Sequence, residues 1–188
     1  MARVAVFDLD GTMLDSDEAL AAPFVRLGVA RSEVTFGHVL EHECNRLGIG
    51  VDEYLAAYDD QAAQPFPGMA ELVAGLERWA VCSNKHSHVG RAELARLGWH
   101  PEVALFSDAF DGPKRLEPVL AALEVDAHEI VFVGDTAHDR QCAGAVSASF
   151  VLAGWNPRAE PAAGDIVLEH PVELRRVLDQ GDQSALTV

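Results

Sequence analysis

Four apolar residues, Val4-Ala5-Val6-Phe7, run straight into Asp8-Leu9-Asp10-Gly11-Thr12, and few folds accommodate that junction. A short apolar run broken off by two acids and a glycine predicts a strand buried on both faces, with polar groups delivered to its C-terminal tip. Side chains alternate along an extended chain, so Asp8 and Asp10 emerge on one side while Leu9 turns to the core. Two carboxylates in one small site disfavour double ionisation. A bound divalent cation can keep Asp8 ionised and leave the second acid free to carry a proton. The spacing suggests a nucleophile beside an acid/base. Gly11 admits backbone angles closed to other residues, and Thr12 sets a hydroxyl beside freed backbone N–H groups, a combination suited to cradling an anion. The plainer alternative is a strand-to-helix turn whose Asp and Thr only cap a helix.

The longer string VFDLDGTMLDS, from Val6 to Ser16, resembles the first motif of the haloacid dehalogenase-like hydrolases, in particular the phosphatase branch that includes phosphoglycolate phosphatase. That resemblance implies that Asp8 attacks phosphorus and that Asp10 is the general acid/base. The dehalogenases of the superfamily lack the second Asp, so halide release is disfavoured. Three later stretches are similar to the remaining family motifs, in the expected order. Ser83, at the end of the strand Trp79-Ala80-Val81-Cys82, matches the residue that holds phosphoryl oxygens, with Asn84 next to it. Lys114 matches the lysine before a helix. Gly134-Asp135-Thr136-Ala137-His138-Asp139 matches the acidic motif that, with Asp8 and Asp10, is implied to hold Mg²⁺. Gly11 and Thr12 complete the implied phosphate cradle.

The spacing supports parts of this independently. Asp139 lies four residues after Asp135, on the first turn of a predicted helix, so both carboxylates can look toward one cation. Mg²⁺ takes one or two carboxylates and keeps several waters. Ser83 and Asn84 can also be read as helix caps, and a helix N-terminus is itself a place for an anion. The chain holds two lysines, Lys85 and Lys114, so each is more informative than in an ordinary composition; Lys85 is the reserve candidate for the phosphate clamp.

Between the first motif and Pro65-Phe66-Pro67-Gly68 the pattern turns helical. Leu20, Phe24 and Leu27, then Val34, Val39 and Leu47, then Leu55 and Tyr58, fit three short amphipathic helices over 17–64, with no strand and with Pro23 starting or kinking the first. Such an insertion looks like the small helical cap of the family. The predicted organisation is an α/β catalytic core over 1–16 and 65–180, a cap over 17–64 and a frayed tail over 181–188. The core is expected to be a doubly wound parallel sheet, with a helix from Met69 to Arg78 and another opening at Lys114. Because the four motifs lie on the core, leaving-group selection is expected in the cap, where Arg31, His38, His42 and Arg46 can meet a small anionic or hydroxylated group.

Charge narrows the partners. Fourteen Lys+Arg against 30 Asp+Glu give a formal net charge of −16, which opposes nucleic acid and anionic membrane; the small-molecule phosphate ester that the resemblance implies as partner then needs local cations and Mg²⁺ to be bound. Three widely spaced cysteines form no disulfide scaffold and point to a reducing, cytoplasmic setting. No membrane-span-length apolar run occurs. A mutase of the same family, such as β-phosphoglucomutase, would use the same residues. A receiver-like phosphoacceptor module would instead end a later strand in the acceptor Asp. Oligomeric state is not legible.

Overall fold

The computed structural model describes residues 3–179, so the tail expected over 181–188 lies outside the described residues. Strand β1 (Val4–Phe7) is the centre of a six-stranded sheet with β4 (Trp79–Cys82), β5 (Val103–Leu105), β6 (Ile130–Gly134), β7 (Ser149–Ala153) and β8 (Ile166–Leu168). Their order across the sheet is β5-β4-β1-β6-β7-β8, and all the pairings are parallel. All four residues of β1 are buried because the sheet is covered on both faces. Ala5 and Phe7 face one layer with Val81, Val131 and Val133, while Val4 and Val6 face the other with Ala80, Cys82, Ile130 and Phe132.

Helices α4 (Met69–Ala74), α5 (Ser87–Arg96) and α8 (Leu174–Asp179) cover the first layer through Met69, Leu72, Leu94, Leu174 and Val177. Helices α6 (Glu117–Leu123) and α7 (Ala137–Val146) cover the second through Val119, Leu123, Cys142 and Ala143. Phe7 is fully buried, edge-on to Trp79. Its truncation to Ala costs ~3–5 kcal/mol by loss of burial plus the cavity left behind. The chain proceeds from β1 to β4 and β5 on one side and then returns to β6 on the other. The crevice at the carboxyl ends of β1 and β6 is thus the topological switch point, where such sheets place ligands.

The helical region after β1 holds α1 (Asp17–Arg26), a 3₁₀ turn over Arg31–Glu33, α2 (Leu40–Leu47) and α3 (Val51–Ala57). They close around Ala21, Phe24, Val34, Cys44 and Tyr54, with the Phe24 and Tyr54 ring centroids 4.6 Å apart. No helix among the described residues is long and apolar enough to cross a membrane.

Several local expectations are corrected. Gln64–Pro65 (β3) pairs antiparallel with Leu14–Asp15 (β2), so the segment over 17–64 does reach a strand at its end. Two residues are too few to leave an alternating pattern, and Pro65, with no N–H to donate, suits an edge. This ribbon ties the exit of the helical region to its entrance. Helix α1 runs through Pro23 instead of starting there. Val34 and Val39 lie outside α2, although Val34 still packs into the small core. Helix α4 stops at Ala74, before Gly75, instead of reaching Arg78, whose guanidinium pairs with Glu102. Helix α6 opens at Glu117, with Pro118 in its first turn, and not at Lys114, which is occupied elsewhere.

Candidate active site

Asp8 sits one residue beyond β1, where its N–H donates to Val133 O at 2.9 Å and fixes it against β6. Asp135 sits one residue beyond β6. Asp139 reaches the same place from the first turn of α7, in a reciprocal cap: Thr136 N–H and Oγ1–H donate to Asp139 Oδ2 at 3.0 and 2.6 Å, and Asp139 N–H donates to Thr136 Oγ1 at 3.3 Å. Gly134 is required beside it, since a Cβ there would collide with the Asp139 side chain. One ligand oxygen from each of Asp8, Asp135 and Asp139 lies within 4.8 Å of the others, and all three residues are buried.

Lys114 Nζ stands between two of these acids, 2.5 Å from Asp8 Oδ1 and 2.6 Å from Asp139 Oδ1. Burial pushes the Asp8 carboxyl up to about 7, with the charges of Asp139 and Asp135 adding to it and Lys114 working against it. Burial likewise raises Asp135 to about 6, again with Asp139 contributing. For Asp139 burial also opposes ionisation, but Lys114 and the Thr136 donors prevail and hold it below the usual carboxylate range. Burial works against the Lys114 ammonium, and Asp139 and Asp8 outweigh it, so its pKa rises. Three buried carboxylates facing one ammonium, with Arg158 more distant at 3.8 Å from Asp135, hold an excess of negative charge whenever all three are ionised. An all-oxygen set with that excess fits a hard divalent cation such as Mg²⁺.

The Asp10 carboxylate stands apart from this group, with Oδ1 2.6 Å from Lys85 Nζ. Lys85 also lies 3.0 Å from Glu93 Oε2, and Tyr58 O–H donates to Glu93 Oε1 at 2.6 Å. Burial disfavours both charges of the Lys85–Glu93 pair. The ammonium is kept by Asp10 and Glu93, whereas burial keeps the Glu93 carboxyl above its ordinary value despite Lys85. The two acids of the first motif therefore have separate surroundings, each with its own lysine.

Ser83 is buried at the tip of β4, its hydroxyl accepting from Lys85 N–H at 3.3 Å, and it lines the cavity above Asp8. Asn84 acts as a strut: its Oδ1 accepts from Lys114 N–H at 2.7 Å and its Nδ2 donates to Gly37 O at 3.3 Å. Gly11 and Thr12 are not among the residues lining the cavity. Thr12 Oγ1 donates to Asp135 Oδ1 at 3.3 Å, and Gly11, at φ +78°, has no room for a Cβ against the Asp135 carboxylate. Both residues shape the seat of Asp135.

The cavity lies between the strand tips and the helical region. Asp8, Asp10, Ser83, Asn84, Lys85 and Lys114 form one wall, and Phe24, Val34, Phe36, His38, Tyr54 and Tyr58 contribute to the other. Of the four residues expected to select the leaving group, the structure brings His38 alone to this lining. Arg31 pairs with Glu18 at 2.7 Å, and Arg46 pairs with the buried Glu43 at 2.6 Å; His42 faces a separate surface depression. Both arginines are spoken for by an acid; the Arg46 pair, three residues apart on α2, is of a spacing that sequence does show, whereas the Arg31 pair joins separate elements.

Four participants escaped the sequence reading. Asn156 Nδ2 donates to Gly11 O at 2.8 Å and to Asp135 Oδ2 at 2.9 Å. Arg158 Nη2 lies 2.6 Å from Asp17 Oδ1 and 3.8 Å from Asp135 Oδ2. Glu93 and Tyr58 hold Lys85 as described. Asn156 and Arg158 follow the C-terminal end of β7, so their place on a motif-bearing edge was the available signal; Glu93 sits mid-helix on α5 and gave none.

The haloacid dehalogenase-like hydrolase family model matches residues 2–146. N-acetylmuramic acid 6-phosphate phosphatase of Pseudomonas putida is 27% identical over 215 residues, covering 94% of this chain and 96% of that protein. Phosphoglycolate phosphatase of Xanthomonas campestris is 28% identical over 211 residues, covering 92% and 94%. The crystal structure of a HAD-superfamily hydrolase, subfamily IA, variant 1, from Geobacter sulfurreducens superposes with a TM-score of 0.70 at 23% identity, covering 95% of this chain and all of that one, and shares the fold.

Proposed function

The chain belongs to the haloacid dehalogenase-like hydrolases, and we propose that within that family it is a Mg²⁺-dependent phosphatase of small phosphomonoesters, working through an aspartyl-phosphate on Asp8. The observation that carries this reading is the separation of the two acids: Asp8 shares buried space with Asp135, Asp139 and Lys114, while Asp10 pairs with Lys85. A carboxylate that attacks phosphorus beside the metal seat and a carboxyl that carries a proton to and from oxygen do different work, and each here is held by its own neighbours.

In the first half-reaction an Asp8 oxygen attacks phosphorus in line, and the bond to the ester oxygen breaks. Asp10 donates its proton to that departing oxygen, releasing an alcohol. In the second half-reaction the Asp10 carboxylate takes a proton from a water that attacks the phosphoryl group, returning Asp8 and inorganic phosphate. Ser83 and Lys114 line the cavity where the phosphoryl oxygens must sit, so they meet charge that a loose transition state spreads over those oxygens. Asp8 and Asp135 would hold Mg²⁺, with Asp139 steering Lys114 and completing the acidic set. When bound, the ion supplies positive charge to carboxylates and phosphoryl oxygens packed too close to coexist without it.

The proposed division of labour keeps residues 1–16 and 65–180 as catalytic core and 17–64 as the cover that excludes water. The named relatives act on leaving groups as different as glycolate and an amino sugar, so their likeness does not fix the ester. The test is hydrolysis of p-nitrophenyl phosphate with and without Mg²⁺, in the wild type and in Asp8→Asn. Turnover that needs Mg²⁺ and vanishes in a folded Asp8→Asn supports the reading. Undiminished turnover in that variant would sink it.

A further inference from the structure

Every cation that lines the cavity is already matched by carboxylates. Lys114 lies between Asp8 and Asp139, Lys85 between Asp10 and Glu93, and Arg158 is held by Asp17, with its guanidinium 5.0 Å above the Phe36 ring. No other lysine or arginine lines it among the described residues, and Arg31 and Arg46 are engaged by Glu18 and Glu43. The acids on the wall away from the phosphoryl position, Asp17 and Glu43, are in turn paired with Arg158 and Arg46, so that wall holds no cation in excess. A carboxylate on the leaving group would find no lysine or arginine there that lacks an acid of its own; the other basic groups of the lining are the imidazoles of His38, His86 and His138. To gain Arg158 it would have to displace Asp17, leaving that half-buried acid beside the new one.

The same wall is rich in carbon. Leu20, Phe24, Val34, Leu40, Tyr54 and Val89 line the cavity, and Phe24, Val34 and Tyr54 are held there by the small core of the helical region. An apolar group entering the cavity loses contact with water and meets side chains already fixed by packing, which favours binding with little ordering cost.

Resting on the phosphatase reading, we propose that the leaving group accepted by this chain is an uncharged alcohol with an apolar portion, and that esters whose leaving group carries a carboxylate, phosphoglycolate among them, are poor substrates. The Phe24–Tyr54 wall supplies the attraction, and a carboxylate drawn out of water against it gains no lysine or arginine free of an acid to offset its desolvation. Selection by a wall of this kind is graded for apolar groups and steep for a misplaced charge.

The test compares three esters with the wild-type chain and Mg²⁺: ethyl phosphate as reference, phenethyl phosphate, and phosphoglycolate. All three release alkoxide-type leaving groups, so the chemical step differs little and the leaving group's fit decides. The expected kcat/KM for phenethyl phosphate is roughly tenfold or more above that for ethyl phosphate, the gain expected from burying a ring, with phosphoglycolate below ethyl phosphate. Leu20→Asn, at a half-buried lining position, is expected to shrink the phenethyl-to-ethyl ratio. Phosphoglycolate turned over better than phenethyl phosphate, or a ratio near one in the wild type, would overturn this inference while leaving the phosphatase reading intact. No Mg²⁺-dependent turnover of any ester, p-nitrophenyl phosphate included, would overturn both.

Discussion

Lys85 Nζ lies 2.6 Å from Asp10 Oδ1, and the same ammonium is 3.0 Å from the buried Glu93 carboxylate on α5. The lysine that looked like a reserve phosphate clamp is thus committed to the proposed acid/base. Lys114, on Asp8, is the one at the proposed phosphoryl position. The two lysines of the chain divide between the two acids of the first motif.

Removing Lys85 would leave two acids in a space that burial already makes hostile to charge. Lys85→Met is therefore expected to lower stability by ~3–5 kcal/mol, the range for breaking one side of a buried ion pair. Adding Glu93→Leu removes the orphaned carboxylate and is expected to restore much of that loss without restoring kcat, because Asp10 still lacks its partner. Urea unfolding and steady-state kinetics on the single and double variants read the two effects separately. Recovery of kcat along with stability would show that Lys85 acts on the fold alone.

The raised Asp8 and Asp135 carboxyls make metal binding depend on pH. Their folded pKa values, about 7 and about 6, lie above the ordinary value of 3.8. Their contribution to stability is thus fully present below about pH 3.8 and is lost as pH rises through 6 and then 7. A divalent cation reverses that loss by competing with the protons. The increase in Tm given by Mg²⁺ is expected to be small at about pH 5 and to grow toward about pH 8, with apparent affinity changing roughly tenfold per pH unit for each proton displaced. Thermal melts across this range check it, and an increment independent of pH would remove these two acids from the metal set.

The fold was legible because β1, β4 and β6 are uninterrupted apolar runs that end in polar tips, and a strand buried on both faces has to look like that. Asp8, Asp10, Ser83 and Asp135 could be named because each sits at or just beyond such a tip, and Lys114 because it is one of two lysines and matches the lysine of the family's third motif. The lateral partners could not. Glu93 has no local pattern that marks it as buried, Asn156 reaches Gly11 across 145 residues, and Arg158 looks free until Asp17 of α1 folds against it. Position along an element is written in short-range pattern, whereas pairing across elements depends on the packing of both.

Arg46 is expected to matter for the integrity of the helical region and not for choice of substrate. Burial acts against the Glu43 carboxylate, but hydrogen bonds from Arg46 and Thr35 hold its pKa down at about 2. That stabilisation is present above the ordinary value of 4.5 and lost as pH falls through about 2. Arg46→Ala should lower Tm at neutral pH, and its difference from wild type should close as the medium becomes strongly acidic. The ratio of kcat/KM between two esters with uncharged leaving groups should stay unchanged. A change in that ratio with Tm preserved would return Arg46 to the selecting wall.

Asn156 offers the sharpest separation between holding the metal and doing the chemistry. Its Nδ2 donates to Asp135 Oδ2 and to Gly11 O, so one buried amide fixes both the proposed ligand and the turn that follows Asp8 and Asp10. It touches neither Asp8 nor Lys114 by any hydrogen bond among the described residues. Without it, the side chains left to orient Asp135 among the described residues are the Thr12 hydroxyl, 3.3 Å away, and Arg158, 3.8 Å away. Residues that steer a metal ligand typically change affinity by roughly ten- to a hundredfold when removed. Asn156→Ala is therefore expected to raise the Mg²⁺ concentration for half-maximal activity by about tenfold or more, while kcat at saturating Mg²⁺ falls far less. Activity titrations with Mg²⁺, paired with calorimetric binding of the ion alone, measure both quantities. If kcat falls at saturating Mg²⁺ and the metal titration does not move, Asn156 acts through the Gly11 turn on Asp8 and Asp10, and Asp135 does not depend on it.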